Sequence, residues 1–333
     1  MGQTLSEPVT AKETSSCSND FCKVGSSCMQ GWRMNMEDAH THLLSLPGDS
    51  DACFFGVFDG HGGTYHLSDL KASDENTCTC ILMSGLKNCG LKTIDEEMKD
   101  ELAGTTAIVS LVRDGKIFTG NVGDSRAIAS FGGRCEVLSF DHKPSNEDET
   151  KRIIAAGGWV EFNRVNGNLA LSRALGDFVF KKNNKKRAEE QIVTAYPDVT
   201  TCEITDDLEF LVLACDGIWD VLSNQEVVDF VRVRIASGQD PEYICEELMT
   251  RCLAPDCQMG GLGCDNMTVV LVCFLHGGTY EELAIKAFTT LYSYHPLPNT
   301  NDNSTVTNDF VSVMLSSCIL LHDHLIGIRE LNP

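Results

Sequence analysis

The stretch TTAIVSLV-RDG-KIFTGNV, residues 105–122, decides the fold class. Two runs rich in β-branched and aromatic residues flank an Asp-Gly pair, the signature of a β-hairpin. The device recurs at once: RAIASF (126–131), Gly132-Gly133, then RCEVLS (134–139). Hairpins in succession make an antiparallel meander, not a βαβ array. Working outward, FFGVF (54–58), EFLVLA (209–214) and MTVVLVCFL (267–275) read as further strands. Helices arrive between them in blocks. SNEDETKRIIAA (145–156) has Ser145 as N-cap, acids in its first turn, Lys and Arg later, and Gly157-Gly158 as its stop. Ser223 and Glu226 form a capping box ahead of VVDFVRVRI, which Gly238 ends. Pro241 opens PEYICEELMTRCLA, where a first-turn proline is tolerated. The pattern is α+β: antiparallel sheets covered by helices.

Residues 1–23 are Ser/Thr-rich, lack an apolar period and read as a flexible arm. The patterned region spans 24–275. Beyond Leu275 the pattern degrades into Gly277-Gly278, two prolines and NTNDNSTVTND, so 276–333 reads as an atypical tail. Phe310 to Ile328 is interrupted by His322-Asp323-His324, which makes a membrane span expensive.

The 333 residues carry 26 Lys+Arg and 48 Asp+Glu, a net charge of −22. Phosphate backbones repel such a chain, so nucleic acid is excluded as the main partner. At 42% apolar and 22% charged residues, the composition is that of a globular protein. The 16 cysteines include no CxxC pair; Cys252, Cys257 and Cys264 come nearest to a metal spacing. With no secretory leader pattern at the N-terminus, the thiols are expected to be mostly reduced and cytosolic, filling core positions.

The chemistry lies in acids at strand ends. Asp59 ends FFGVF, Asp216 ends EFLVLAC, Asp265 precedes MTVVLVCFL, and Glu37-Asp38 follow GWRMNM. Any one Asp-Gly is more often simply a turn. Jointly, carboxylates on rigid sheet edges describe hard oxygen ligation and favour Mg²⁺ or Mn²⁺ over zinc.

Eight segments then resemble, in order, the type 2C metal-dependent protein phosphatases. They are GWRMNMEDAH (31–40), FFGVFDGHGG (54–63), GTTA (104–107), GNVGDSRA (120–127), DHKPS (141–145), RVNGNLALSRALGDF (164–178), LACDGIWDVLSNQEVVDFV (213–231) and CDNMTVVLVCF (264–274). The resemblance implies a β-sandwich of two antiparallel sheets flanked by helices. It implies hydrolysis of phosphoserine and phosphothreonine in signalling phosphoproteins by a water activated between two Mg²⁺ or Mn²⁺ ions, with no covalent intermediate. By position, Asp59 is similar to the carboxylate bridging the two ions, and Gly60 to a carbonyl ligand of one of them. Glu37, with Asp38 beside it, matches a ligand of that same ion; Asp216 and Asp265 match ligands of the other. Arg33 matches the phosphate-holding arginine and His61 the general acid. Asp124 and Asp220 match positions that hold a weak third ion in some members. A pseudophosphatase on the same fold is the alternative, but every ligand carboxylate is present; the residues also leave small phosphate esters open as substrates.

Three features lie outside this reading. Met1-Gly2-Gln3-Thr4-Leu5-Ser6 fits the myristoylation pattern, so the expectation is a cytoplasmic protein with reversible membrane association at most. Gly63 to Gly104 is short by about one helix against the family's layout. Only one helix, around Thr79 to Leu102, is expected there, leaving a sheet face for self-association or for the tail run Phe310 to Leu321 to cover. KKNNKKR (181–187) is the one strong positive patch; a solvated loop is its commoner meaning, a docking surface for acidic substrates its alternative.

Overall fold

The expected hairpin forms: Ala107–Arg113 and Lys116–Val122 pair antiparallel, and Asp114 and Gly115 turn the chain with φ of 52° and 68°. The computed structural model describes residues 4–62, 103–257 and 261–294. Its strands, in chain order, are β1 (Thr4–Ser18), β2 (Cys22–Arg33), β3 (Ala39–Leu43), β4 (Cys53–Phe58), β5 (Gly60–His61), β6 (Gly104–Thr105), β7 (Ala107–Arg113), β8 (Lys116–Val122), β9 (Arg126–Phe131), β10 (Arg134–Val137), β11 (Val160–Glu161), β12 (Arg164–Val165), β13 (Leu175–Gly176), β14 (Asp198–Glu203), β15 (Leu208–Ala214) and β16 (Met267–Phe274). They build a six-stranded sheet, β1-β2-β16-β15-β9-β10, and a five-stranded sheet, β14-β8-β7-β4-β3, both antiparallel throughout. Two small sheets, β13-β6-β5 and β11-β12, complete the described strands.

The period of two explains the uniformly apolar strands. Leu211 and Leu213 of β15, Val270 and Val272 of β16, Phe55 and Val57 of β4, and Ile108 of β7 share one buried cluster, the sandwich interior. The alternate residues of β15 and β16, among them Phe210, Val212, Val269 and Leu271, pack against helices Asn224–Ala236, Pro241–Cys252 and Tyr280–Tyr294. Both faces of these strands are covered, so polar alternation is lost. Helix Pro241–Cys252 lies so close to β2 that a Cβ on Gly25 would sit 2.1 Å from the Glu242 nitrogen.

Several expectations need correction. Residues 4–18 are not an arm but β1, an edge strand paired with β2. Its contacts are hydroxyl to hydroxyl, Thr14 to Ser27 at 2.8 Å and Ser15 to Ser26 at 2.9 Å, so no apolar period announced it. The segment after Leu275 is not featureless: Tyr280–Tyr294 is a helix whose Leu283, Ala284 and Ala287 are buried in the helical layer's core. The helix expected from Ser145 runs Glu147–Ala155 with Asn146 at the N-cap position. Cys257 and Cys264 form a disulfide rather than remaining reduced; both are buried with Trp32, while ten other described cysteines are outside any disulfide. The capping box of Ser223 and Glu226 and the proline start at Pro241 are as read. Residues 63–102 of the short Gly63-to-Gly104 span, with the helix expected around Thr79 to Leu102, the Phe310 run and Gly2 lie outside the described residues. The outward-facing Phe54, Val109 and Leu111 of the five-stranded sheet are nevertheless buried, not bare. No described helix is long and apolar enough to cross a membrane.

A buried ionic hub ties residues 145–200 together. Glu149, 3% exposed, accepts from Arg152 (2.6 Å), from Arg173 (2.7 Å) and from Ser172 (2.6 Å). Arg173 also reaches Asp198 at 2.9 Å, the structural pairing its sequence context suggests. Burial alone would raise the Glu149 pKa; Arg173, Arg152 and Ser172 outweigh it and hold the carboxyl at about 2. Because this folded pKa lies below the unfolded one, the stabilisation is complete above about pH 4.5 and is lost as pH falls toward 2. Glu149→Gln is expected to cost about 3 kcal/mol at pH 7. In urea unfolding, the gap between wild type and variant should narrow steadily between pH 4.5 and 2.

Candidate active site

The carboxylates gather where strand ends of the two large sheets meet. Asp59 leaves β4, and its backbone is clamped by the Gly104–Ala107 segment. Its N–H donates to Thr106 Oγ1 (3.1 Å), and its carbonyl accepts from Thr106 N (2.9 Å) and Thr105 Oγ1 (3.0 Å). Asp216 opens a one-turn helix directly after β15. Asn266, just ahead of β16, holds the opposite wall. Its side-chain amide donates to the Gln30 and Asn35 carbonyls (2.7 and 3.0 Å), and its Oδ1 accepts from Glu37 N (3.0 Å). Its own N–H donates to Asp265 Oδ1 (2.8 Å). Gly31, at φ 66°, and Gly217 let the chains touch: a Cβ on either would lie 2.7 Å from the Asp265 carbonyl or 2.1 Å from that of Asn266.

Electrostatics record the crowding. Burial first, then Asp216, Asp38, Asp265 and Asp124, pushes the Asp59 carboxyl well above the usual range. Asp216 is raised the same way, by burial and then by Asp124, Asp265 and Asp220. Burial pushes Asp38 up to about 7 against the hydrogen bond from Thr268 Oγ1 to its Oδ2 (2.7 Å). Arg33 lies on Asp265. Burial opposes the guanidinium charge, but Asp265, Asp216 and Asp59 together hold its pKa above its ordinary value.

The donor set fits a hard divalent cation. Ligating atoms of Asp38, Asp59 and Cys215 lie within 4.8 Å of one another. Asp38 Oδ1 is shut from solvent with no hydrogen-bond partner, an acceptor left for a cation. The Cys215 sulfur is otherwise engaged: it accepts from Thr268 N (3.2 Å) and donates to the Asn266 carbonyl (3.5 Å). Burial and the surrounding acids push its pKa up, which disfavours the thiolate a nucleophile would need.

Three neighbours were missed by residue-by-residue reading. Asp177 accepts from His61 Nε2 at 2.7 Å. The small sheet β13-β6-β5 makes that contact, setting Gly176 beside Gly104 and Gly104 beside His61. A Cβ on Gly104 would lie 2.4 Å from Asp177 Oδ2 and 2.6 Å from His61 Nε2. Lys143 pairs with Asp124 at 2.6 Å, so Asp124 faces an ammonium, while Asp220 stands exposed. Asn266 is the third. Each lies inside a quoted motif, Asp177 in ALGDF, Lys143 in DHKPS and Asn266 in CDN, but only tertiary contact reveals what it touches. His40 and His42 stack on β3, with His42 Nδ1 3.4 Å from Ser26 Oγ.

The chain is similar to known protein phosphatases. The family model for protein phosphatase 2C matches residues 22–259. A probable protein phosphatase 2C of Caenorhabditis elegans is 61% identical over 298 residues, 86% of this chain and 84% of that one. Protein phosphatase 2C homolog 2 of Schizosaccharomyces pombe is 48% identical over 299 residues, 85% of this chain and 81% of that one. Among solved structures, serine-threonine phosphatase 2C from Toxoplasma gondii shares the fold, with a TM-score of 0.61 at 23% identity, covering 82% of this chain and all of that one. With acids, sandwich and relatives in agreement, the chain belongs to the protein phosphatase 2C family of protein serine/threonine phosphatases.

Proposed function

We propose that the chain hydrolyses phosphoserine and phosphothreonine in proteins with Mg²⁺ or Mn²⁺, two ions per site, and without a covalent intermediate. The carrying observation is the packing of Asp38 and Asp59, whose ligating atoms lie within 4.8 Å of each other, with Asp38 Oδ1 buried and unpartnered and Asp216 and Asp265 adding like charge to Asp59. Asp59, Glu37, Asp38, Asp216, Asp265 and the Gly60 carbonyl are the groups that would hold the ions. When bound, these supply an activated water and charge neutralisation for the phosphoryl group.

The chain's own residues do the rest. Arg33 offers a planar fork to two phosphate oxygens. Its hold on Asp265 aims it from the rim of the acid cluster. His61 gives a proton to the departing Ser or Thr oxygen, a poor leaving group. Its Nε2–H is fixed on Asp177, which leaves Nδ1 for that proton. Asp177 is thereby a positioning residue. Cys215 takes no part.

Three outcomes are expected. First, Mn²⁺ raises the melting temperature of wild type and EDTA reverses it. Asp59→Asn melts higher than wild type in EDTA, because one crowded carboxylate is gone, but it loses both the Mn²⁺ response and all hydrolysis of a phosphothreonine peptide. A thermal melt and a phosphate-release assay read these separately. Second, His61→Ala slows the phosphothreonine peptide about 10²–10⁴-fold. Nitrophenyl phosphate, whose leaving group needs no proton, slows far less. Asp177→Asn shows the same contrast, weaker, and equal slowing of both substrates would refute the proton-donor role. Third, the protein is cytoplasmic, and one acyl chain on Gly2 gives only reversible membrane binding, since the −22 charge opposes anionic lipid. Labelling with a myristate analogue should mark wild type and not Gly2→Ala; an unlabelled wild type ends the idea.

A further inference from the structure

The loop 181–187 puts five basic residues into seven positions of a chain whose net charge is −22. It is a built loop. Gln191, buried at 6% exposure, accepts from Asn183 N (3.0 Å) and donates to the carbonyls of Asn183 (2.9 Å) and Lys186 (3.0 Å). Asn183 Nδ2 donates to the Ala156 carbonyl (2.8 Å), and its Oδ1 accepts from Lys185 N (3.0 Å). Arg152, a member of the Glu149 hub, donates to the Gln191 carbonyl at 3.2 Å. The backbone is thus fixed from beneath at both ends.

Two of the five cations are engaged. Lys181 reaches the Ala174 carbonyl at 2.8 Å and lies over the Phe178 ring, and Arg187 pairs with Glu189 and Glu190, each at 3.0 Å. Lys182, Lys185 and Lys186 make no ion pair among the described residues; Lys186 reaches Glu190 only as a longer-range charge. Lys182 and Lys185 are exposed. A short 3-10 turn, Phe178–Phe180, joins this loop to Asp177, the residue that holds His61. Lys182 stands five residues from Asp177, at most about 18 Å along the chain. An extended peptide rising about 3.3 Å per residue covers that distance in about five residues.

We propose that Lys182, Lys185 and Lys186 form a docking surface for an acidic segment of the phosphoprotein substrate, about four to seven residues from the phosphorylated Ser or Thr. The assignment rests on the phosphatase reading of the neighbouring site. Elsewhere the protein's own acidity repels such a segment, so this loop selects among substrates as well as attracting them. An ordered loop backbone leaves only side-chain freedom to be lost on the protein's side of the contact.

The test uses the full-length protein with Mn²⁺ and two pairs of phosphothreonine peptides. In each pair, four Glu residues four to seven positions from the phosphothreonine, on one side or the other, are compared with four Gln. We expect kcat/KM to favour one acidic peptide by about ten-fold at low salt and to lose the preference at high salt. The triple variant Lys182→Gln/Lys185→Gln/Lys186→Gln should bring the ratio to about one with nitrophenyl phosphate hydrolysis unchanged. No acidic preference in wild type, or a preference that survives in the triple variant, overturns the proposal. Anisotropy of the labelled, unphosphorylated Glu peptide in EDTA reads docking without catalysis. Tight binding with no hydrolysis of any substrate would sink the phosphatase reading alone, and hydrolysis with equal binding of Glu and Gln peptides would sink the docking surface alone. Vesicles of anionic lipid are the control: lysine-dependent vesicle binding without peptide preference assigns the loop to membranes and overturns it.

Discussion

Everything in this structure answers to one constraint: at least four carboxylates must be held close together against their mutual repulsion. Asp59 and Asp216 are each raised by burial and by the other acids around them. Like charges at such range cost several kcal/mol unless a cation or a proton intervenes. A loose scaffold would relax by letting the acids drift apart. This one does not, because Asp59, Asp216 and Asp265 adjoin the ends of buried strands. β4, β15 and β16 are packed on both faces, which gives their flanking residues little freedom.

The backbone clamps extend that rigidity over the last few ångströms. Thr105 and Thr106 grip the Asp59 peptide, and Asn266 holds three backbone groups of the stretch 30–37 at once. Gly31 and Gly217 carry no side chain because carbonyls of Asp265 and Asn266 occupy that space. The same economy recurs at Gly104, whose missing Cβ admits the contact of His61 with Asp177. Residues that look like punctuation in the sequence are the places where two elements come closest, so they fix the site as firmly as the acids define it.

Local chemistry explains what could be read in advance. The hairpin turns at Asp114-Gly115 and Gly132-Gly133, the Ser223 capping box and the first-turn Pro241 depend on neighbours within a few residues, and they formed as read. The acids at strand ends were legible because strand boundaries are local too. β1 was not, because an edge strand bonded through Thr14, Ser15, Ser26 and Ser27 leaves no apolar alternation. The helix Tyr280–Tyr294 was obscured by the Gly-Gly before it and the polar run after it. Asp177, Lys143 and Asn266 are tertiary facts: their partners lie 116, 19 and up to 236 residues away, and no spacing rule spans such gaps.

Two cations pair with acids of the cluster, and their placement sorts the carboxylates. Arg33 takes Asp265 and Lys143 takes Asp124. Burial opposes the charge on each, yet the acids outweigh it and raise both pKa values, so both remain charged at any ordinary pH. The rim is therefore compensated by the protein itself. The centre is not: Asp59 and Asp216 keep the strongest upward push, and Asp38 Oδ1 keeps an unmet acceptor. A divalent cation would gain most at Asp59 and Asp38, which make no ion pair among the described residues, whereas Asp265 is already shared with Arg33. An ion at Asp124 has instead to compete with Lys143 for the same carboxylate.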